Sequence, residues 1–413
     1  MEYGLLGKVL AHSFSPEIHA LIGDYDYRLT ELDEDKVEGF LKERDFKAIN
    51  VTIPYKQTVM PFLDEISESA KAIGAVNTVV NRDGKLFGYN TDFDGLKALV
   101  ESMLPDLKGL KVLILGSGGT SHTAQAVAKS MGAKEIVVAS IMGEEGTVSY
   151  DEARTIHNDA DFLINTTPCG MYPNVHTVAT DLDVFDNLKA VADVVYNPLR
   201  TELVMRAREK GIPAKGGLYM LTMQGIKAAE HFFSKEIEKE KADEIFNTII
   251  KRRENIVLIG MPSSGKTTVG TLLAEQMGRP LYDIDALIVK RAGCEISEIF
   301  EAHGEEYFRD LESSVIAEEV APLTGAVIAT GGGAILRAEN IKNLKKNGKV
   351  VFLDRDLSLL TPTSDRPTAS DLEAMKKRYE QRYDIYTSTA DIKVNGSLSA
   401  EDVAETVKEE FFR

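Results

Sequence analysis

NIVLIGMPSSGKTTVGTLLAEQM, residues 255–277, reads as an apolar strand, a glycine-rich turn and a helix in immediate succession. Its turn, Gly260 to Thr267, satisfies GxxxxGK(S/T) in the context that gives that pattern meaning. Gly260 and Gly265 let the backbone curl so that N–H groups face a polyphosphate, and the helix N-terminus adds a favourable dipole. Pro262, Ser263 and Ser264 complete the expected ATP cradle with Thr268, Lys266 is expected at the β and γ phosphates, and the Thr267 hydroxyl at Mg²⁺. A second stretch of the same design, KVLILGSGGTSHTAQAVAKSM at residues 111–131, places Gly116, Gly118, Gly119, Thr120 and Ser121 between strand and helix. That is a dinucleotide fingerprint, with the pyrophosphate expected on the N–H groups around Gly118 to Ser121.

Two such turns in 413 residues imply more than one domain. The fold class is α/β, and three lobes are expected: an α/β substrate lobe (about 1–104 and 216–252), a Rossmann-like dinucleotide lobe (about 105–215), and a P-loop domain with a parallel sheet (253–413). The first two make one unit, 1–252. The charge-dense segment HFFSKEIEKEKADEIFNTIIKRRE, residues 231–254, has apolar residues at helical spacing and suits a closing helix followed by a short connector. The pair Asp83-Gly84 between VNTVVNR and KLFGYN predicts a hairpin.

Composition narrows the function classes. A formal charge of −17 repels a polyphosphate backbone, so no nucleic-acid partner is expected. The two cysteines, Cys169 and Cys294, lie far apart outside any CxxC or Cys/His cluster, which speaks against a disulfide framework or a structural zinc. The start MEYGLLGKVL has no signal-peptide pattern and no apolar run spans a membrane, so small-molecule substrates in the cytoplasm are expected, with no signal for an oligomeric state.

A P-loop names the phosphate donor and leaves the acceptor open. Asp283 and Asp285 in LYDIDALI are two apart, expected at a strand edge with both carboxylates to one side, one for the magnesium shell and one for a substrate hydroxyl proton. Arg309 and Glu312 are three apart on a predicted helix face and suited to pairing. The strand pattern AVIAT ends in Gly331, Gly332 and Gly333, which permit close approach of a ligand, and Arg366-Pro367 falls in a polar stretch that reads as a lid. With Arg382, Tyr386 and Ala390-Asp391 in that order, residues 255–413 resemble the shikimate kinase family. The resemblance implies that Asp285, Arg309, Gly331, Gly332, Gly333 and Arg382 hold shikimate, that Asp283 and Thr267 position Mg²⁺, that Lys266 and Asp285 are catalytic, and that Arg366 supplies lid charge. The family's further arginine ahead of the lid is absent from LSLLTPTSD.

In the first half, Lys56 of VTIPYK is a candidate proton donor to an alkoxide, with a carboxylate such as Asp92 to orient it. Ser13, Ser15, Asn77 and Gln224 add neutral donors and acceptors suited to a small polyhydroxylated acid. SxSP, VTxPxK, GAVNT, the Asp after GYNT, NTTPxGM and YNPLRT, in this order, resemble shikimate dehydrogenase over residues 1 to about 250. The resemblance implies that Ser13, Ser15, Thr52, Lys56, Asn77, Asp92 and Gln224 bind substrate, that Lys56 and Asp92 form the catalytic pair, and that hydride passes between a nicotinamide and the ring of 3-dehydroshikimate.

The cofactor set implied is NADPH, or NADH, with ATP and Mg²⁺. Family members choosing NADP usually carry an arginine after the second strand of the dinucleotide lobe, and EIVVASIMGEEG has none; its Glu144 and Glu145 could instead discourage a phosphate, although a solvated loop is the ordinary reading of both. The stretch from Ser140 to Phe162 is also short for a full helix and strand, so a trimmed adenosine half is expected. A quinate-preferring dehydrogenase fused to the kinase, and a catalytically dead shikimate-binding regulator, are the alternatives. Retention of Lys56, Asp92, Lys266, Thr267 and Asp285 speaks against the regulator.

Overall fold

The computed structural model of the chain describes residues 2–10, 13–360 and 372–413. Two compact units divide it, Met1–Ile249 and Ile250–Arg413. Strands are named β1 Tyr3–Gly7, β2 Tyr27–Glu31, β3 Ala48–Val51, β4 Glu65–Ile66, β5 Thr78–Arg82 and β6 Lys85–Tyr89, which form a mixed sheet in the order β2-β1-β3-β5-β6-β4. β5 and β6 pair antiparallel with Arg82 opposite Lys85, leaving Asp83 (φ 52°) and Gly84 (φ 84°) as the two-residue turn that the sequence predicts. On one face Leu6, Ile49, Val79 and Leu86 meet Val37 and Leu41, four apart on the helix Glu34–Glu43. On the other, Tyr3, Ala48 and Val80 meet Ala228 and Phe232 of the helix Leu218–Phe233. That helix also packs along the helix Thr91–Glu101, which Asn90 caps by accepting from the Phe93 N–H.

The dinucleotide lobe holds β7 Lys111–Leu115, β8 Glu135–Ala139, β9 Phe162–Asn165, β10 Ala190–Asp193 and β11 Ala214–Lys215, all parallel in the order β11-β10-β9-β7-β8. Both faces are covered, by Val127 and Met131 on one side and Leu203 and Val204 on the other, so these strands read as apolar runs. Between β8 and β9 the chain forms one six-residue helix, Tyr150–Thr155, and a single bridge from Val148 to Ala139. β8 is therefore the sheet edge.

The second unit carries β12 Asn255–Ile259, β13 Leu281–Asp283, β14 Val327–Ala329, β15 Gly348–Asp354 and β16 Ile392–Asn395, parallel in the order β13-β14-β12-β15-β16. Alternate residues of β12 go to opposite faces: Ile256 and Leu258 to Val269, Leu273 and Phe411, Val257 and Ile259 to Ile284, Phe308 and Tyr386. The α/β class and the three sheets are those expected. Two local readings are corrected. The segment 231–254 is not one helix and a connector: Leu218–Phe233 stops at Ser234 in the left-handed region (φ 50°), and a new helix, Lys239–Arg253, runs up to β12. Asp283 and Asp285 do not share a strand face, because the helix Ile284–Ala292 starts between them and Asp283 accepts from the Asp285 and Ala286 N–H groups as its cap. No helix among the described residues is long and apolar enough to cross a membrane.

Two candidate active sites

In the first unit a cavity of about 340 Å³ is lined by Ser13, Ser15, Thr52, Lys56, Asn77, Asp92 and Gln224, the whole anticipated set. They come from different elements. Ser13 lies before, and Ser15 within, the first turn of the helix Ser15–Ile22, Thr52 and Lys56 follow β3, Asn77 precedes β5, and Asp92 and Gln224 come from the two packed helices. The Lys56 Nζ donates to Asp92 Oδ2 at 2.5 Å, with the side chains 28% and 14% exposed, so the ammonium is held in the cavity while part of it stays open to a ligand. The Asn77 Oδ1 accepts from the Thr91 N–H at 2.7 Å, which fixes the amide with its Nδ2 toward Gln224 Oε1 at 3.4 Å.

Thr120 of the glycine-rich turn lines the same cavity, so the dinucleotide turn and the Lys56–Asp92 pair open onto one space. Gly118 caps the helix Gly119–Ser130 and Gly116 lies in the turn at φ 98°. The Ser121 side chain is fully buried and its own N–H bonds Gly118 O, which leaves Ser121 to shape the turn rather than present a hydroxyl. Tyr196 and Asn50 also line the cavity and were not singled out in the sequence; Tyr196 was legible only as a letter of YNPLRT.

The motif residues Asn165 and Thr201 do structural work. Asn165 Nδ2 and Thr201 Oγ1 donate to the fully buried Asp193 at 3.0 and 2.6 Å, and the Val195 N–H donates at 3.0 Å. Burial nevertheless pushes the Asp193 carboxyl up to about 6 against those donors. The folded unit therefore holds this proton more tightly than the unfolded chain. Its stability should fall as pH rises from about 4 to about 6, by on the order of 2–3 kcal/mol from this group, and then level. Thermal midpoints of the wild type and Asp193→Asn across that range check this: their difference should change below pH 6 and be flat above it, and a difference independent of pH would refute it.

In the second unit the helix Lys266–Met277 begins at Gly265, whose φ of 90° is open to glycine at little cost. The buried Lys266 Nζ donates to Gly260 O at 3.0 Å and Met261 O at 2.8 Å, folded onto the loop that it would leave for a phosphate. The Thr267 hydroxyl donates to Asp283 Oδ2 at 2.8 Å, which brings together the two groups expected at Mg²⁺. A hydroxyl and one carboxylate beside a phosphate cradle suit that ion, which takes few protein ligands and fills its shell with water and phosphate oxygens.

Next to the P-loop, Pro262, Asp285, Arg309, Gly331, Gly332, Gly333 and Arg382 line a narrow recess of about 30 Å³ with Ile296, Phe300, Phe308 and Glu312. Arg309 Nη1 donates to Glu312 Oε2 at 2.7 Å, as the three-residue spacing predicts. Burial pushes the Glu312 carboxyl up, against the pull of Arg309. Arg309 Nε and Glu312 Oε1 are buried with no hydrogen-bond partner, an arrangement that a hydroxylated acid would satisfy. A methyl on Gly333 would lie 2.3 Å from Arg309 Nη2, so the guanidinium packs flat on bare backbone. Arg382 Nη1 donates to Gly332 O at 3.0 Å, and the Tyr386 hydroxyl lies 3.0 Å from Gly260 O, tying the P-loop to the triple glycine. The wall Ile296–Phe300 is joined to the Arg309 turns only through Gly304, which is non-helical (φ 82°, ψ 177°). Arg366 lies outside the described residues.

Comparison with known proteins matches residues 5–79 to the model of the shikimate dehydrogenase substrate binding domain and residues 262–411 to that of shikimate kinase. A shikimate dehydrogenase (NADP(+)) of Clostridium perfringens is 38% identical over 265 residues, covering 60% of this chain and 97% of the relative. The chain belongs to the shikimate dehydrogenase family and carries a C-terminal shikimate kinase domain. Among solved structures, the chorismate mutase/shikimate 5-dehydrogenase fusion protein from Clostridium acetobutylicum is 36% identical with a TM-score of 0.56, over 60% of this chain and 96% of that one. The shikimate 5-dehydrogenase from Listeria monocytogenes in complex with shikimate and NAD is 30% identical with a TM-score of 0.52, over 59% and 96%. The dehydrogenase likeness thus covers about 60% of the chain and the kinase model residues 262–411, and the fusion inferred from two sets of motifs stands. Among the kinase-domain residues, Pro262 was assigned to ATP alone and Phe300 and Phe308 were passed over, since apolar residues in a helix read first as core.

Proposed function

We propose that this chain catalyses two consecutive reactions, reduction of 3-dehydroshikimate to shikimate and ATP-dependent phosphorylation of shikimate to shikimate 3-phosphate. The observation that carries the reading is the convergence of Lys56, Asp92 and Thr120 on one cavity in the first unit, matched in the second by Asp285 and Arg309 beside the P-loop. In the first site the bound nicotinamide supplies hydride. Lys56 holds the proton destined for the developing alkoxide, and Asp92 keeps the ammonium aimed. Ser13, Ser15, Thr52, Asn77 and Gln224 take the ring's carboxylate and hydroxyls. Names of the relatives carry both NADP(+) and NAD, so likeness leaves the choice to the residues around the adenosine ribose.

In the second site Mg²⁺ held by Thr267 and Asp283 would neutralise phosphate charge. Asp285 accepts the proton of the attacking hydroxyl, Arg309 and Arg382 hold the acid, Gly331 to Gly333 let it approach, and Lys266 follows the transferring phosphoryl. Arg366 would add charge from the lid. The two activities divide near residues 252–253, and a cytoplasmic location, with small molecules rather than nucleic acid or membrane as partners, suits both reactions. The test is direct: purified chain should oxidise NADH or NADPH when given dehydroshikimate, and release ADP from ATP and Mg²⁺ only when given shikimate. Silence of both reactions with every cofactor and divalent metal tried would dismiss the proposal.

A further inference from the structure

The loop after β8 carries a carboxylate built into the dinucleotide turn. Glu144 Oε1 accepts from the hydroxyl of Ser117, inside the glycine-rich turn, at 2.7 Å, and Oε2 accepts from the hydroxyl of Ser140, the first residue after β8, at 2.5 Å. The two hydroxyls lie 2.9 Å from each other. The loop behind Glu144 is closed on itself: Thr147 N and Oγ1 donate to Glu144 O, Ser140 N donates to Val148 O, and Val148 N donates to Val138 O. The serine hydroxyls hold the Glu144 carboxyl below the ordinary glutamate range, so it is an anion at neutral pH.

Position gives that anion a role. In a sheet of this order the dinucleotide lies across the C-terminal ends of the strands, with its pyrophosphate at the N-terminus of the helix that follows the glycine-rich turn. The adenosine ribose then falls between that turn and the C-terminal end of the neighbouring strand, here β8, which is where Ser117, Ser140 and Glu144 meet. A carboxylate has about four acceptor positions, and two serine hydroxyls leave room for the ribose diol. A 2′-phosphate would bring a charge of about −1.5 to −2 against the same anion. No Lys or Arg stands between Glu135 and Arg154 to offset it, and Arg154 is itself paired with Asp151. The residues beside the carboxylate are Ile141 and Met142, 87% and 75% exposed, which offer apolar surface to a flat base and no charge to a phosphate.

We infer that Glu144 is the cofactor-selecting residue of the dehydrogenase half, taking the ribose diol of NADH and rejecting the 2′-phosphate of NADPH. This deepens the reading of the first site and rests on it. The experiment uses the full chain. Initial rates of dehydroshikimate reduction should give a kcat/KM at least tenfold higher with NADH than with NADPH, the difference lying in KM. Glu144→Gln should narrow that ratio at least fivefold, and Glu144→Gln combined with Ile141→Arg should reverse it. Binding of adenosine 5′-monophosphate against adenosine 2′,5′-bisphosphate reads the same preference without turnover, and the wild type should favour the former. A wild type preferring NADPH, or a ratio indifferent to Glu144→Gln, would overturn the inference while leaving the dehydrogenase in place. Absence of turnover with either cofactor would instead overturn the reading beneath it, and equal binding of the two adenosine phosphates would still count against Glu144.

Discussion

Lys56→Ala should lower kcat/KM for dehydroshikimate by about 10²–10⁴, while shikimate-dependent ADP release stays as in the wild type. Among the described residues the ammonium is the one cation lining the 340 Å³ cavity, and its 2.5 Å bond to Asp92 fixes where its remaining protons point. In the proposed mechanism, removing it takes away the proton donor and leaves a carboxylate facing an acidic substrate, so both kcat and KM should suffer. Asp92→Asn is the milder companion: the lysine stays but loses its ionic partner, and the loss should fall mainly in kcat. Steady-state rates of both reactions on the same preparation decide the matter. A Lys56→Ala enzyme within twofold of wild type would remove Lys56 from the mechanism.

Lys266→Ala should act in mirror image, lowering ADP release by at least about 10²–10³ and sparing dehydroshikimate reduction. Its Nζ donates to the carbonyl oxygens of Gly260 and Met261, which belong to the cradle itself. A charge that follows the phosphoryl group is worth most at the transition state, so kcat should fall further than the KM for ATP rises. The dehydrogenase rate serves as an internal control for folding of the chain. If either substitution abolished both activities, the two sites would not be independent.

Much of this was legible because phosphate-handling turns are local objects. Strand, glycines and helix N-terminus sit within some twenty residues, and their backbone geometry is dictated by which residues tolerate positive φ, as at Gly116 and Gly265. The Asp83-Gly84 hairpin was readable for the same reason. Where a side chain chose between local partners, reading failed. Asp283 was placed on a strand face by its two-residue spacing to Asp285, but two unsatisfied N–H groups at a helix start drew it into a cap. Glu144 was half-legible: in the sequence it and Glu145 are charges that could discourage a phosphate or simply solvate a glycine-bounded loop, and the bonds of Glu144 to Ser117, 27 residues earlier, and Ser140 show what holds it.

By itself, then, the sequence determined the α/β class, the two nucleotide-binding turns and the order of the two halves, because each depends on contacts between near neighbours along the chain. The tertiary structure decided which side chains share a cavity. Lys56 meets Asp92 across 36 residues and Asn77 meets Gln224 across 147, and Arg309 lies against Gly333 because two elements fold onto one sheet end. Packing sets those encounters, and packing is a property of the whole unit rather than of any window of its sequence.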